Sequence, residues 1–280
     1  MPSRFFNVIE KYSEREILAL IKDIETILGS EANLVYIPKS KMMVVGDLHG
    51  DLETLQKIIQ LFFRDNFDKL LFLGDYVDRG AKQVEVVNVL FYYKKNLPNK
   101  ILLLRGNHED PFINRHYGFY DQVRLKFSNY KRIFRAYNHL FSKLPLAAIT
   151  WNRIFCIHGG IPQDLEDIST INKLPHEKGQ IKNQITKQLL WNDPHKKIKE
   201  FKWSSRGPGI KRFGENAFEN FIHDNEIEYI IRSHEKCKNG FKKDFNDKLI
   251  TIFSSRSYSK KISPVVGVIT RKGDFNIHNL

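Results

Sequence analysis

The chain has 280 residues, 41% of them hydrophobic and 28% charged, which excludes a disordered chain and is enough to bury a core in one large α/β domain or two small ones. Lys and Arg outnumber Asp and Glu by 45 to 32, an imbalance that favours anionic partners such as phosphorylated substrates, nucleic acid or an acidic membrane surface, and that equally fits a lysine-rich solvated surface. Two cysteines, Cys156 and Cys237, exclude a disulfide framework and suit a reducing, cytoplasmic compartment.

The first twenty residues carry charges throughout and show no uninterrupted apolar segment, so no export signal is expected there. Ser13 followed by Glu16 forms a capping-box pattern ahead of an amphipathic helix over Ile17 to Leu28. The chain then repeats one grammar, in which a short apolar run ends abruptly in a polar, glycine-containing motif. These runs are too short for helices and read as buried strands: MMVV before Gly46, KLLFL before Gly74, ILLL before Arg105, RIFCI before His158 and EYII before Arg232. Helical patterns over Asp51 to Arg64 and Lys82 to Asn96 separate the first three, giving consecutive β-α-β units with a partly parallel sheet. Aromatic-rich, basic helices are expected over Pro111 to Phe127 and Lys131 to Ser142, and another over Glu215 to Asp224. LITIF and PVVGVIT follow with no helix between them and are expected to pair as hairpins. No stretch reaches the roughly 18 to 20 apolar residues of a membrane-spanning helix, and no repeat or Gly/Ser linker divides the chain, so a single domain is expected.

Sites in open α/β sheets lie beyond the carboxyl ends of the strands, where five strands here place histidines and carboxylates. Asp47 and His49 in GDLHG stand two apart, on one side of an extended backbone, so one metal ion could receive both; alone, the motif also fits a helix cap beside a surface histidine. GDYVDRG sets Asp75 at a strand end, where a carboxylate could bridge two cations and offset part of their repulsion, while Asp78 and Arg79 could pair with each other or do other work. Asn107 and His108 in GNHE are adjacent and should diverge, so that one can ligate while the other transfers a proton. His158 and His234 each follow an apolar strand. A set of imidazole, carboxylate and amide oxygen, without thiolates, suits first-row divalent ions rather than a structural zinc site. His116, His139, His176, His195, His223 and His278 lack this placement and read as ordinary core or surface residues.

GDLHG, GDYVDRG, GNHE, HGG and RSHE, in this order, resemble the signature set of the PPP family of serine/threonine phosphoprotein phosphatases, within the calcineurin-like metallophosphoesterases. The likeness extends through INRHYGFYD, LPLAA and LLWNDP and covers nearly everything from Met42 onward, and SSRGPG at Ser204 to Gly209 resembles the archaeal form of a phosphate-binding loop. The resemblance implies an α/β fold, a β-sandwich of mixed sheets flanked by helices, with residues 1–280 as one catalytic domain and 1–40 as a helical lead-in. It implies two divalent ions, manganese first with iron or zinc as alternatives. Asp47, His49 and Asp75 would hold one, and Asp75, Asn107, His158 and His234 the other. Arg79 and Arg206 would bind phosphoryl oxygens, His108 paired with Asp78 would protonate the leaving group, and Asp193 would play a supporting part.

Substrates would be phosphorylated proteins, with regulatory protein subunits as further partners and neither membrane nor nucleic acid expected. A dinucleoside polyphosphate hydrolase, or another phosphoesterase on the same metal platform, is the alternative, and a catalytically dead phosphoprotein-binding module a more distant one. The likeness breaks at Phe253 to Ser259, FSSRSYS, where the family reads F-S-A-P-N-Y-C. Tyr258 is kept there for contact with substrate or inhibitor, Arg256 adds a positive charge, and Ser259 replaces the cysteine. Arg256 and its neighbours also fit a basic turn between hairpin strands. The chain stops soon after its last strand, so no long regulatory tail is expected.

Overall fold

The computed structural model describes residues 12–280, so the first half of the charged opening stretch lies outside the described residues. The capping box forms as expected at the start of α1 (Glu14–Leu28): the Glu16 backbone N–H donates to the Ser13 hydroxyl, and the Ser13 N–H donates to the Glu16 carboxylate at 2.8 Å. Ile17, Leu20, Ile21, Ile24 and Leu28 recur at helical spacing and bury one face of α1 against two later helices, α3 (Gln83–Asn96) and α6 (Tyr130–Phe141).

Two sheets carry the molecule. The first has five strands in the spatial order β14 (Phe275–Asn279), β13 (Val265–Ile269), β2 (Met42–Val45), β3 (Lys69–Phe72) and β4 (Ile101–Leu103). β2, β3 and β4 are parallel; helix α2 (Leu52–Arg64) crosses from β2 to β3, and α3 from β3 to β4. β13 adds antiparallel to β2, and β14 closes that edge. The second has six strands in the order β1 (Leu34–Ile37), β5 (Ala147–Thr150), β6 (Ile154–Ile157), β10 (Tyr229–Arg232), β12 (Leu249–Ile252) and β11 (Phe241–Asp244). Its centre, β6, β10 and β12, is parallel. β5 forms a hairpin with β6, and β11 forms one with β12.

Alternation along the strands explains why they read as unbroken apolar runs. Met42, Val44, Leu71 and Leu102 point into a core shared with Cys156, Ile231 and Ile252 of the other sheet, whereas Met43, Val45, Leu70 and Phe72 point to the helical layer of α1, α2, α3 and α6. Phe155, Ile157 and Ile230 do the same on the far side, against α7 (Gln184–Trp191) and α8 (Glu215–Asp224). Each fully buried aliphatic or Phe side chain is worth about 1.5–3 kcal/mol, more than the ~1 kcal/mol span of β-propensity, so coverage on both faces decides these strands.

The sequence expectations need correction in three places. The lead-in 1–40 is not helical throughout: it contains β1, an edge strand parallel to β5 with Tyr36 exposed. The helix expected over Pro111 to Phe127 is two helices, α4 (Pro111–Asn114) and α5 (Phe119–Lys126), broken before Gly118, which adopts φ 123°, a conformation that favours glycine. LITIF and PVVGVIT do not pair with each other; they are β12 and β13, in different sheets, and each forms its hairpin with a more polar neighbour, FKKD or FNIHN. Among the described residues no helix is long and apolar enough to cross a membrane.

Candidate active site

The parallel strands of both sheets end at one edge of the sandwich, where a bridge between Asp47 and Phe253 ties the sheets together. Asp47 and His49 follow β2, Asp75 follows β3, Asn107 and His108 follow β4, His158 follows β6 and His234 follows β10. All seven are buried or nearly so. The close approach requires special backbone. His49, Asp75, Asp78, Arg79 and His234 all have φ between 46° and 72°, left-handed conformations that such residues rarely adopt and that packing around the site must hold. Gly106 must be glycine, since a Cβ there would lie 2.2 Å from Asp75 Oδ1.

The hydrogen bonds determine which ring nitrogens face inward. His49 Nδ1 donates to the Val77 carbonyl at 2.7 Å and His158 Nδ1 to the Leu73 carbonyl at 3.0 Å, which turns each Nε2 toward the neighbouring carboxylates. His49 Nε2 then stands 3.6 Å from Asp47 Oδ2 and 3.5 Å from Asp75 Oδ2, and His158 Nε2 stands 3.4 Å from Asp75 Oδ1. Asn107 Oδ1 lies 2.8 Å from both His158 Nε2 and His234 Nδ1. Carboxylate and amide oxygens buried this close together repel unless positive charge, a proton or a cation, stands among them. The buried carboxylates make the same demand: burial opposes charge on His49, yet the nearby Asp47 and Asp75 carboxylates push its pKa up to about 9. His158 is likewise raised by Asp75 against its own burial. His234 is held neutral by burial and by the neighbouring His158, Arg206 and Arg232 charges, and its Nε2 is buried without a hydrogen-bond partner. Among the described residues, two three-residue groups have ligand atoms within 4.8 Å of one another: Asp75 with His158 and His234, and His49 with Asp75 and His108. Asp75 belongs to both, and this donor set fits divalent metal ions.

His108 differs from the other histidines. Its Nδ1 donates to Asp78 Oδ2 at 2.6 Å, and its Nε2 is 4.0 Å from Asp75 Oδ2 and lines a cavity of about 150 Å³. Arg79 and Arg206 line the same cavity, as do Ile113, Tyr117, Trp191 and Tyr258. The Arg79 guanidinium lies 4.2 Å above the Tyr117 ring and 5.6 Å from that of Tyr258, which restricts a long side chain at little cost. Arg206 Nε donates to Asp193 Oδ2, and Asp193 Oδ1 accepts from Arg232 Nη2 at 3.1 Å. Asp193 belongs to a small three-stranded sheet of β7 (Asp193–Pro194), β8 (Lys202–Trp203) and β9 (Lys211–Phe213), with Arg206 in the loop between β8 and β9.

Residues 40–238 match the calcineurin-like phosphoesterase family. The chain is 34% identical over 256 residues to the serine/threonine-protein phosphatase 4 catalytic subunit of Kluyveromyces lactis, covering 91% of this chain and 82% of that one. It is 33% identical over 267 residues to a protein phosphatase 2A catalytic subunit of Dictyostelium discoideum, covering 93% and 85%. A solved structure of a serine/threonine phosphatase from Saccharomyces cerevisiae, described as similar to human phosphatase PP5, superimposes with a TM-score of 0.86 at 28% identity and covers 96% of this chain and 90% of that one. The chain belongs to the serine/threonine protein phosphatases of the calcineurin-like phosphoesterase family.

Every residue that the motifs nominate in this phosphatase lies at the one edge, and none of His116, His139, His176, His195, His223 or His278 lines the cavity. Three supporting residues escape the sequence reading. Glu109 is buried and accepts from the backbone N–H groups of Asp75 (2.7 Å), Tyr76 (2.9 Å) and Gly106 (2.9 Å), so it holds the two loops together; burial and the Asp75 charge raise its pKa to about 7. Ser233 bonds Asp47 through its hydroxyl, which donates to the Asp47 carboxylate and accepts from the Asp47 N–H at 2.8 Å. Arg232 is fully buried and bonds Gly159, Asp193 and Glu235. The signal in the sequence is their place inside the motifs GNHE and RSHE, but only the fold reveals what each one touches.

Proposed function

We propose that this phosphatase removes phosphate from phosphoserine and phosphothreonine in proteins, with Asp47, His49 and Asp75 holding one divalent ion and Asp75, Asn107, His158 and His234 holding a second. The observation that carries this reading is the buried His108–Asp78 pair beside the convergent ligand set, in one cavity with two arginines. Phosphate monoesters hydrolyse so slowly that enzymes accelerate them by up to about 10²¹-fold, and no single group supplies that. Bound ions supply an activated water nucleophile and Lewis-acid polarisation of the phosphoryl oxygens. Arg79 and Arg206 present planar forks to those oxygens and offset the charge of the transferring group. Asp193, bonded to Arg206, keeps that side chain over the cavity. His108 delivers a proton through Nε2 to the departing serine or threonine oxygen while Asp78 fixes the ring through Nδ1. Tyr258, at the cavity rim, contacts the substrate.

The ions are manganese in this reading, with iron or zinc as substitutes. Residues 1–280 act as one catalytic domain, with the segment before residue 40 as its lead-in. The compartment is the cytoplasm, in keeping with two free, buried cysteines, Cys156 and Cys237. Phosphoproteins are the substrates and regulatory subunits the partners. A side-by-side assay of manganese-loaded protein on phosphoserine, phosphothreonine and phosphotyrosine peptides and a dinucleoside polyphosphate tests the reading. Turnover of the phosphoserine and phosphothreonine peptides is expected, and turnover of the dinucleotide alone would overturn it.

A further inference from the structure

Past Arg79 the cavity adjoins a larger groove of about 560 Å³, walled by the start of α2, the turn leading into α3 and the loop that departs from the family pattern. Five cations line it, Lys57, Arg79, Lys82, Arg256 and Lys260, against only two carboxylates. One of those is already committed: Asp51 accepts from the Thr54 N–H and hydroxyl and, at 2.7 Å, from the Arg256 N–H. Glu53 remains. Lys82 is 3.7 Å from Glu85, and the Arg256 guanidinium donates to the Leu280 oxygen at 3.5 Å, but among the described residues no acidic side chain pairs with Lys57, Arg256 or Lys260, all of them exposed.

We infer that this groove selects phosphoprotein segments carrying Asp or Glu beside the phosphorylated residue. The inference rests on the cavity being the phosphoserine site. Arg79 lines both spaces, so a phosphate held in the cavity places the neighbouring residues of an extended segment, at about 3.3 Å each, along the groove. Like charges gathered in a concave wall raise the local potential and attract carboxylates from solution. They also reject a basic segment, so the groove discriminates by repulsion as well as attraction. Arg256, in the departing loop, contributes one of these charges and is anchored there by its N–H bond to Asp51.

The test uses the full, manganese-loaded chain and phosphoserine peptides with a short glutamate, alanine or lysine tract on either side of the phosphoserine. At low salt, glutamate on one side should raise kcat/KM over alanine by about fivefold to tenfold, chiefly through KM, as expected for two or three exposed pairs. Lysine on that side should lower it. At about 1 M salt, where the screening length falls to about 3 Å, the preference should vanish. A Lys57→Glu/Lys260→Glu variant should lose or invert the preference while keeping its melting temperature and its turnover of a small aryl phosphate. Equal efficiencies for all tracts, a preference unchanged in the variant, or stronger competition from random RNA than from an unphosphorylated acidic peptide would overturn the proposal. Turnover of the aryl phosphate with no turnover of any phosphopeptide would instead remove the phosphoprotein reading, and the groove's role with it.

Discussion

Replacing His108 with asparagine removes the proposed proton donor and leaves the proposed ligands Asp47, His49, Asp75, Asn107, His158 and His234 in place. Asp78 is a bonding partner of His108 at 2.6 Å and also accepts from the Phe119 N–H at 3.1 Å, so the loop keeps an anchor when the imidazole is lost. General acid catalysis contributes about 10²–10⁴-fold, equivalent to about 3–5 kcal/mol of transition-state stabilisation. That whole factor should be lost on a phosphoserine peptide, whose leaving alkoxide is a much stronger base than a phenolate, of pKa about 10. On an activated aryl phosphate the loss should be small, since its leaving group departs with little help. Steady-state kinetics on both substrates, with manganese content measured for each preparation, gives the comparison. An Asp78→Asn partner completes a cycle: two groups that act as a unit lose no more together than His108→Asn loses alone. Equal losses on peptide and aryl phosphate, or additive losses around the cycle, would refute the assignment of His108 as the acid.

Arg79→Lys keeps the charge but not the fork, and should reduce kcat/KM by about tenfold to a hundredfold while weakening competitive inhibition by inorganic phosphate. Unchanged phosphate inhibition would remove Arg79 from the binding role. Glu109→Gln leaves an acceptor oxygen and puts an amide NH₂ against backbone donors, in place of a carboxylate that accepts from Asp75, Tyr76 and Gly106; it should destabilise by about 1–3 kcal/mol in urea unfolding. A change within error would mean the three bonds carry no net stability. Exhaustive chelation should lower the melting temperature as well as abolish turnover, because ions at a hundred times their Kd stabilise the folded state by about 2.7 kcal/mol each. Retention of full stability and activity in verified metal-free protein would defeat the metal assignment.

Local physics made the strand-end motifs legible. A strand covered on both faces has nowhere to put a polar residue, so MMVV, KLLF and IFCI stand out as apolar runs, and the polar residue that ends each run marks the edge of the sandwich. The cap at Ser13 was legible because its partner is three residues away. Strands with an exposed face, such as β11 (FKKD) and β14 (FNIHN), carry too few apolar residues to stand out. The partition into two sheets was equally hidden, because it depends on pairings such as Val266 with Val45 that local pattern cannot encode. Six ligand candidates could therefore be named from sequence, but not how they meet. Tertiary structure alone decided that Val77 and Leu73 orient two imidazoles, that Glu109 holds the Asp75 loop, that Asp193 steadies Arg206, and that a basic groove adjoins the cavity at Arg79. The physical reason is distance along the chain: the hydrogen-bonded partners lie 13 to 85 residues apart, and only the closure of both sheets at one edge brings them within reach of each other.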